Sequence, residues 1–221
     1  MERHFDKSLD QLNRKIIEMG TIAETMIGRA VQALADRQVE MTDEVFALEN
    51  RINHMQIEID EDALRLLATQ QPVAADLRFL VAAMKINGEL ERIGDQAVNV
   101  CESTRLLLQQ PPLKPLVILP MMAETAQKMV RESLNAFVSR DPVLAKAVIL
   151  EDDHVDNFKD QIFRELLTYM MSEPSTIPRA MSLVLISRNL ERIGDQATNI
   201  AEEVIYMVEG KDVRHPEKQE G

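Results

Sequence analysis

The chain has 221 residues, of which 45% are apolar and 28% charged, with seven glycines, one cysteine and no tryptophan. That length can bury a core in one large or two small domains, and the composition excludes a disordered or collagen-like chain. The formal net charge is −12, and both halves are acidic: residues 1–110 carry 12 basic and 19 acidic side chains, and residues 111–221 carry 13 and 18. Since no basic region is available to contact phosphate backbones, we expect no nucleic-acid partner.

Six long helices are predicted, because apolar residues recur at spacings of three and four and the strongest helix-forming residues are abundant. Asp141-Pro142 is typical of a helix start, in which an acidic N-cap precedes proline at the first helical position. The predicted helices cover residues 5–38, 42–70, 73–109, 117–139, 142–171 and 177–209.

The segment 111–116 contains three prolines and cannot continue a helix. We therefore predict an all-α fold made of two tandem three-helix bundles. The first unit occupies residues 1–110 and the second occupies residues 117–209. The proline-rich segment links them, and a polar tail covers residues 210–221.

An internal repeat relates the two units. The eight residues Leu-Glu-Arg-Ile-Gly-Asp-Gln-Ala at 90–97 recur unchanged at 190–197, and Ala-Glu-Thr at 23–25 recurs at 123–125. The register of the second helices is ambiguous, since Leu-Glu at 48–49 matches Leu-Glu at 150–151 only at an offset of 102 residues. Eight consecutive identities indicate a tandem duplication that is preserved best in the third helix of each unit.

The repeated helices carry two stripes. On a helical wheel, one side of the first copy is apolar and is expected to face the core; it consists of Ile86, Leu90, Ile93, Ala97 and Val100. The other stripe is polar, and in both copies it has the order Glu, Asp, Asn, Glu. Its members are Glu91, Asp95, Asn99 and Glu102 in the first copy, and Glu191, Asp195, Asn199 and Glu202 in the second.

Carboxylates four residues apart on a helix repel each other, and a hard cation with oxygen ligands reverses that cost. A solvated acidic face is the alternative, but its repetition in both units favours a functional stripe. The predicted metal ligands are Glu91, Asp95, Asn99, Glu191, Asp195 and Asn199. Gly94 and Gly194 lie beside these carboxylates, where a helix-interior glycine indicates close approach of a neighbouring backbone or room beside the stripe. A tolerated defect in the helix is the alternative.

A di-iron carboxylate enzyme requires Glu-x-x-His on two helices. Glu151 and His154 supply this spacing once, whereas His54 is preceded by Arg51. No catalytic or organic-cofactor residues are identified, because Cys101 has no histidine nearby in sequence and no glycine-rich phosphate loop is present. A metal-dependent enzyme and a passive metal-binding scaffold stay open as alternatives.

We expect a cytoplasmic protein that does not insert into the membrane. A single cysteine fits a reducing compartment, and the N-terminus lacks the apolar core of a signal peptide. The most apolar run, residues 116–123, is interrupted by Pro120 and is far shorter than the roughly 20 residues that span a bilayer.

Two copies of Leu-Glu-Arg-Ile-Gly-Asp-x-Ala-x-Asn, on the third helices of two three-helix units, resemble the PhoU family of phosphate-transport accessory and signalling proteins. The segment Gln-Pro-x-x-x-Asp-Leu-Arg at 71–78 and His-Phe at 4–5 agree with it. The second unit departs from the pattern, because residues 174–181 contain no Asp-Leu-Arg. The resemblance covers nearly the whole chain apart from about the last dozen residues.

The resemblance implies a bacterial cytoplasmic regulator without catalytic activity, a homodimer in many members. Such proteins couple the ATPase subunit of a phosphate ABC transporter to a phosphate-sensing histidine kinase, and they keep the starvation response off when phosphate is plentiful. The family's Glu-x-x-x-Asp motif is associated with multinuclear metal clusters, of iron in some members. Carried over, that motif selects Glu91 with Asp95 and Glu191 with Asp195. Iron is the first expectation, and zinc, manganese or magnesium are the alternatives.

Overall fold

Six long α-helices, without a β-strand, make up almost all of the part of the chain that the computed structural model describes, residues 4–213. A single 3-10 turn, Pro174–Thr176, precedes the last helix. The helices are α1 (His4–Ala35), α2 (Glu40–Gln70), α3 (Ala74–Leu108), α4 (Ile118–Ser139), α5 (Pro142–Ser172) and α6 (Ile177–Glu209). The all-α prediction with six helices is confirmed.

The helix ends follow local backbone chemistry. The side chain of Asp141 accepts hydrogen bonds from the backbone N–H groups of Val143 and Leu144, at 2.8 and 3.1 Å, and so caps α5 as predicted. The predicted end of α1 at residue 38 is wrong by three residues. Arg37 adopts φ 56°, and the N–H of Gln38 turns back to the carbonyl of Ala33, so the helix closes without a glycine.

The two units lie side by side and share one hydrophobic core. Helices α1, α2 and α3 pack on one another, as do α4, α5 and α6, and between the units α1 packs on α4 and α3 on α6. The rings of Phe79 and Phe137 stack across this junction, with centroids 5.5 Å apart. The core runs without interruption from one unit to the other.

Equivalent helices pair in antiparallel orientation across the junction. Near the start of α3, the ammonium of Lys85 binds the carboxylate of Glu203 near the end of α6, at 2.9 Å. The guanidinium of Arg78 donates to the carbonyl of Met207 at 3.1 Å. Helices α1 and α4 also run antiparallel, and the side chain of Gln127 donates to the carbonyl of Glu24 at 2.9 Å.

Burial settles the register of the repeat. Buried residues of α2 recur in α5 at a spacing of 103 positions; the pairs are Val45 and Val148, Ile52 and Val155, and Ile59 and Ile162. Buried residues of α1 recur in α4 at the same spacing, as Ile16 and Leu119 or Met26 and Met129 show. Between α3 and α6 the spacing is 100 positions, because Leu90 and Leu190 are both buried.

Two short sequence matches are therefore not structural equivalents. Residues 23–25 do not correspond to residues 123–125, nor residues 48–49 to residues 150–151, because the burial register of these helices is 103. The second unit is three residues shorter between its second and third helices. This shortening falls in the segment where the second unit lacks Asp-Leu-Arg.

Basic side chains fix the proline-rich segment and the preceding residue, Gln110, to both units. The guanidinium of Arg37 donates to the carbonyl of Gln110 at 2.7 Å, and that of Arg179 donates to the carbonyl of Pro111 at 3.2 Å. Lys114, with a side chain only 6% exposed, forms an ion pair with Glu165 of α5. These contacts hold the segment against both units. The predicted domain boundaries at residues 110 and 117 stay a prediction.

Helix α6 ends at Gly210, whose φ of 70° is left-handed. The predicted polar tail lies outside the described residues from residue 214 onward. Between residues 4 and 213, no helix combines the length and the apolarity that crossing a bilayer requires.

Candidate functional site

The predicted core face of the repeated helices is confirmed and fixes where the carboxylates lie. All five apolar residues of α3 are buried, and so are their counterparts in α6: Ile186, Leu190, Ile193, Ala197 and Ile200. Glu91 and Asp95 then lie at the edge of α3 that faces α2, and Glu191 and Asp195 lie at the edge of α6 that faces α5. Each unit therefore carries its carboxylates beside its own second helix.

The α2–α3 cluster consists of Glu49, Glu91 and Asp95. Partial burial raises the pKa of Glu91, and the negative charges of Asp95 and Glu49 raise it further against the opposing charge of Arg92. Partial burial also raises the pKa of Asp95. The guanidinium of Arg92 donates to Glu89 instead, at 2.7 Å. Among the described residues, no lysine, arginine or histidine nitrogen lies within 4 Å of these three carboxylates.

The α5–α6 cluster consists of Asp152, Asp156, Glu191 and Asp195. Asp152 and Asp156 lie one turn apart on α5 and face the repeated carboxylates of α6. The ammonium of Lys159 joins the two helices, because it donates to Asp156 Oδ1 at 2.8 Å and to Glu191 Oε1 at 3.0 Å. This cluster therefore contains one more carboxylate than the α2–α3 cluster, together with a bound cation.

Burial and mutual repulsion perturb the α5–α6 cluster. Burial is the largest cause that raises the pKa of Asp152 to about 6, followed by the charges of Asp195, Asp156 and Glu191. Partial desolvation of the otherwise exposed Asp195 raises its pKa, as do the negative charges of Glu191 and Asp156, whereas the charges of Lys159 and Arg192 lower it. The hydrogen bonds of Lys159 to Asp156 and Glu191 raise the pKa of its ammonium. The cluster is under electrostatic strain that a further cation would relieve.

The two repeated glycines make room for side chains of the neighbouring helix. A Cβ on Gly194 would lie 3.0 Å from Asp152 Oδ1 and 3.3 Å from Val155 Cγ1. A Cβ on Gly94 would lie 3.2 Å from Ile52 Cδ1. In both units the close neighbours are side chains and not the backbone that the sequence predicts first. In the second unit this space lets the Asp152 carboxylate lie against the backbone of α6.

The asparagine and the last glutamate of the stripe do not join these clusters. The side chain of Asn199 donates to Glu89 Oε2 of α3 at 3.3 Å, and Asn199 and Glu202 line a groove between α3 and α6. Asn99 is half-buried, and Glu102 is exposed. The residues of the polar stripe therefore do not share one site. In each unit the first Glu and the Asp face the second helix of the same unit. In the second unit, Asn199 and Glu202 instead face α3 of the first unit.

The site's chemistry fits a hard cation, because every donor is a carboxylate oxygen and an ammonium is already bound between Asp156 and Glu191. Within residues 4–213, however, no three Asp, Glu, His or Cys side chains are arranged so that they could share a metal ion. The Glu-x-x-His pair is at the surface: Glu151 and the 65% exposed side chain of His154 lie 3.7 Å apart. It therefore supplies no buried di-iron site.

The sequence prediction missed four residues that complete the clusters: Glu49, Asp152, Asp156 and Lys159. The spacing of Asp152 and Asp156 repeats the four-residue spacing of the motif and was the available signal. It could not be connected to Glu191 and Asp195, because the register between the second helices was ambiguous before burial was known.

The family model for the PhoU domain matches the chain twice, over residues 16–104 and 119–204. The chain is 39% identical over 209 residues to the phosphate-specific transport system accessory protein PhoU homolog of Aquifex aeolicus, and the match covers 95% of each chain.

Two solved structures are similar to the fold. The crystal structure of PhoU from Pseudomonas aeruginosa gives a TM-score of 0.91 at 38% identity and covers 94% of this chain and all of that one. The phosphate transport system regulatory protein PhoU from Streptococcus pneumoniae gives 0.87 at 26% identity, over 96% of this chain and all of that one. The doubled motif, the duplicated three-helix unit and these matches agree that the chain belongs to the PhoU family.

Proposed function

We propose that this chain regulates phosphate uptake and phosphate-starvation signalling. The observation that carries the proposal is the match along 95% of the chain to a relative named as an accessory protein of the phosphate-specific transport system. The likeness to a phosphate transport system regulatory protein, over 96% of the chain, supports it.

In the proposed mechanism the chain acts in the cytoplasm as a non-catalytic adaptor. It contacts the ATPase subunit of a phosphate ABC transporter and a phosphate-sensing histidine kinase, and it keeps the response off when phosphate is plentiful. The carboxylate clusters present negative charge to basic surfaces of these partners, and the protein works as a homodimer. Charge complementarity of this kind favours fast and specific association.

The adaptor role is tested by co-purification of the full-length chain with each partner. We expect Glu91→Ala plus Glu191→Ala to weaken both associations, because each unit loses a carboxylate from its cluster. Asp10→Ala plus Glu124→Ala is the matched control, since both acids are exposed and lie outside the clusters. Unchanged association of the Glu91 and Glu191 variant with both partners would contradict the mechanism.

We also propose that the clusters bind metal ions through Glu91, Asp95, Glu191 and Asp195. Iron is the first candidate, and zinc, manganese and magnesium follow. When bound, such an ion would supply positive charge that offsets the repulsion within each cluster. Asn199 is less suited to this role than the sequence predicted, because its side chain binds Glu89.

Elemental analysis of the tag-free protein tests this metal proposal. We expect bound metal in the wild type and its loss when all four carboxylates are changed to alanine in a variant that stays helical by circular dichroism. Absence of metal in the wild type, even after reconstitution with iron, manganese and zinc, would reject metal binding. The adaptor role would survive that result, since bare carboxylates can also contact basic surfaces.

A further inference from the structure

Six large apolar residues are exposed at the end of the molecule where the 3-10 turn joins α5 to α6. Between 41% and 77% of each residue is accessible to solvent. They form the apolar patch, which consists of Leu106 of α3, Phe163, Leu167 and Met171 of α5, and Met181 and Leu185 of α6. Together they expose about 500 Å² of surface, which is toward the upper end of the largest apolar patch on a typical monomer.

The side chains of α5 and α6 lie along one seam between the two helices. Phe163 lines a hollow together with Val184 of α6, so the two helices meet at this level. Leu167 and Met171 follow Phe163 at intervals of four residues and therefore lie on one side of α5. Met181 precedes Val184 by three residues on α6. Because α5 and α6 are antiparallel and joined by the turn, these residues run together toward the same end of the molecule.

The antiparallel pairing of α3 with α6 extends the apolar patch onto α3. At the register of 100, Leu185 corresponds to Lys85 and Leu106 corresponds to Tyr206. In the other half of the α3–α6 junction, the ammonium of Lys85 lies 5.6 Å from the centre of the Tyr206 ring. Leu106 and Leu185 are therefore neighbours at the equivalent place, and both are exposed. A cation–π pair in one half of the junction is replaced by two exposed leucines in the other.

The fold does not require apolar residues at these positions. The first unit has Asp60 where the second has Phe163, and Lys85 where the second has Leu185. The first unit forms the equivalent helix pair with these charges in place, so packing between α5 and α6 does not explain the apolar patch. Because Asp60 and Lys85 interrupt the corresponding surface, the duplication supplies no second copy of the patch within residues 4–213. An apolar surface of this size that the fold does not need indicates a protein partner.

We infer that a second copy of this chain covers the apolar patch, so that the homodimer forms through the second unit. The inference rests on the proposed homodimer and deepens it by naming its interface. Two apolar patches in contact bury about 1,000 Å², which reaches the threshold for a specific interface before any polar border is counted. A patch that the duplication leaves in one unit pairs with itself about a two-fold axis and closes the assembly at two chains.

The charges around the apolar patch suit self-association. Asp160 and Arg188 line the same hollow as Phe163, so the border carries both signs and can complement itself across a two-fold axis. The six patch residues are uncharged, whereas the whole chain has a net charge of −12 and repels its own copies. Salt screens that repulsion and leaves apolar burial intact. The dimer should therefore tighten as salt is added, whereas contacts of the carboxylate clusters with basic surfaces should weaken.

Sedimentation velocity of the full-length protein tests the interface. We expect a dimer that Phe163→Asp plus Leu185→Lys dissociates, with a dissociation constant raised by about a hundredfold or more, because each chain brings both charges into the contact. The new residues are those that the first unit carries at these positions, so the fold should tolerate them. Leu150→Asp plus Leu64→Lys is the matched control, since it makes the same changes of charge at exposed leucines outside the apolar patch.

A second variant separates the interface from folding. Met171→Gln plus Met181→Gln adds no charge, and it should raise the dissociation constant by about tenfold while the circular dichroism stays that of the wild type. Raising the salt concentration from about 0.05 to 0.5 M should lower the dissociation constant of the wild type.

Three results would overturn the inference. One is a wild type that is monomeric at about 100 µM, well above micromolar affinity. The second is a dimer that Phe163→Asp plus Leu185→Lys leaves intact, which would keep the proposed homodimer and place its interface elsewhere. The third is a monomeric wild type that loses co-purification with the transporter ATPase or the kinase in that variant, which would assign the apolar patch to that partner. The adaptor role is decided separately, by the Glu91 and Glu191 variant.

Discussion

At the scale of single residues, the chemistry of the site depends on which acids face each other. The repeat alone identified Glu91, Asp95, Glu191 and Asp195, because identical side chains in two copies are visible in the sequence. It could not identify Asp152 or Lys159, whose roles depend on how α5 is rotated against α6. That rotation is determined by the buried residues Val148, Val155 and Ile162, which become recognisable as equivalents only when burial is known.

Asp152 should make the protein's stability depend on pH. Its pKa of about 6 lies above the ordinary value of 3.8, so the folded state keeps this proton while the unfolded state loses it, and stability falls as pH rises between about 4 and 6. Asp152→Asn removes this loss. After allowance for solvent screening, we expect the variant to gain about 1 kcal/mol in free energy of unfolding at pH 7. That gain corresponds to a melting temperature about 2–4 °C above that of the wild type.

At pH 4, where Asp152 is protonated in the folded state, the wild type and Asp152→Asn should have the same melting temperature. The exposed residue Asp10, changed to asparagine, is the control and should show no such divergence. Melting curves recorded from pH 4 to pH 8 check this. A difference that shrinks toward neutral pH would show that ionised Asp152 is stabilising.

At the scale of helices, apolar spacing was enough to predict all six, and the N-cap of α5 was readable from two residues. The end of α1 could not be predicted in the same way. Its left-handed residue is Arg37, and arginine, unlike glycine, does not indicate a helix end in a sequence. The contact between α1 and α4 could not be predicted from the sequence either. It requires Gly20, where an added Cβ would clash with Leu134 Cδ1, and nothing in sequence pairs these positions.

Two glycine substitutions separate helix propensity from packing. Gly88→Ala should stabilise α3 by about 0.5–1 kcal/mol, because no atom of a neighbouring element lies within 4 Å of the added Cβ. Gly20→Ala should destabilise the protein by about 1 kcal/mol or more, since overpacking against Leu134 outweighs the same gain. Denaturant unfolding measures both changes. If Leu134→Val costs as much in the Gly20→Ala background as in the wild type, the added methyl group and Leu134 are not in conflict.

At the scale of the whole molecule, the duplication and the two three-helix units were predictable, whereas their shared core was not. A proline-rich segment indicates a boundary, yet here Arg37, Arg179 and Lys114 fix that segment to both units. The apolar faces that join the units use the same spacing as those within each unit. The periodicity of apolar residues therefore cannot show which helix faces pack within a unit and which pack against the other unit.

We expect the two units to unfold together. The chain has two tyrosines and no tryptophan, and both Tyr169 and Tyr206 lie in the second unit. Tyrosine fluorescence therefore reports the second unit and, through Tyr206, its contact with α3, because the Lys85 ammonium lies 5.6 Å from the centre of that ring. Far-ultraviolet circular dichroism reports all six helices. Because the core is continuous, the two signals should give one denaturation midpoint. Separate midpoints would show that each unit is stable without the other.

The pairing of α1 with α4 and of α3 with α6 has the geometry of an isologous dimer, in which equivalent helices meet antiparallel about a two-fold axis. A single ancestral unit would have exposed these faces and could have covered them only with a second copy of itself. Fusion through the linker made that encounter intramolecular, at a far higher effective concentration. Once both halves were always present together, each was free to diverge, and Lys159 at the position equivalent to Gln56 is one outcome of that freedom.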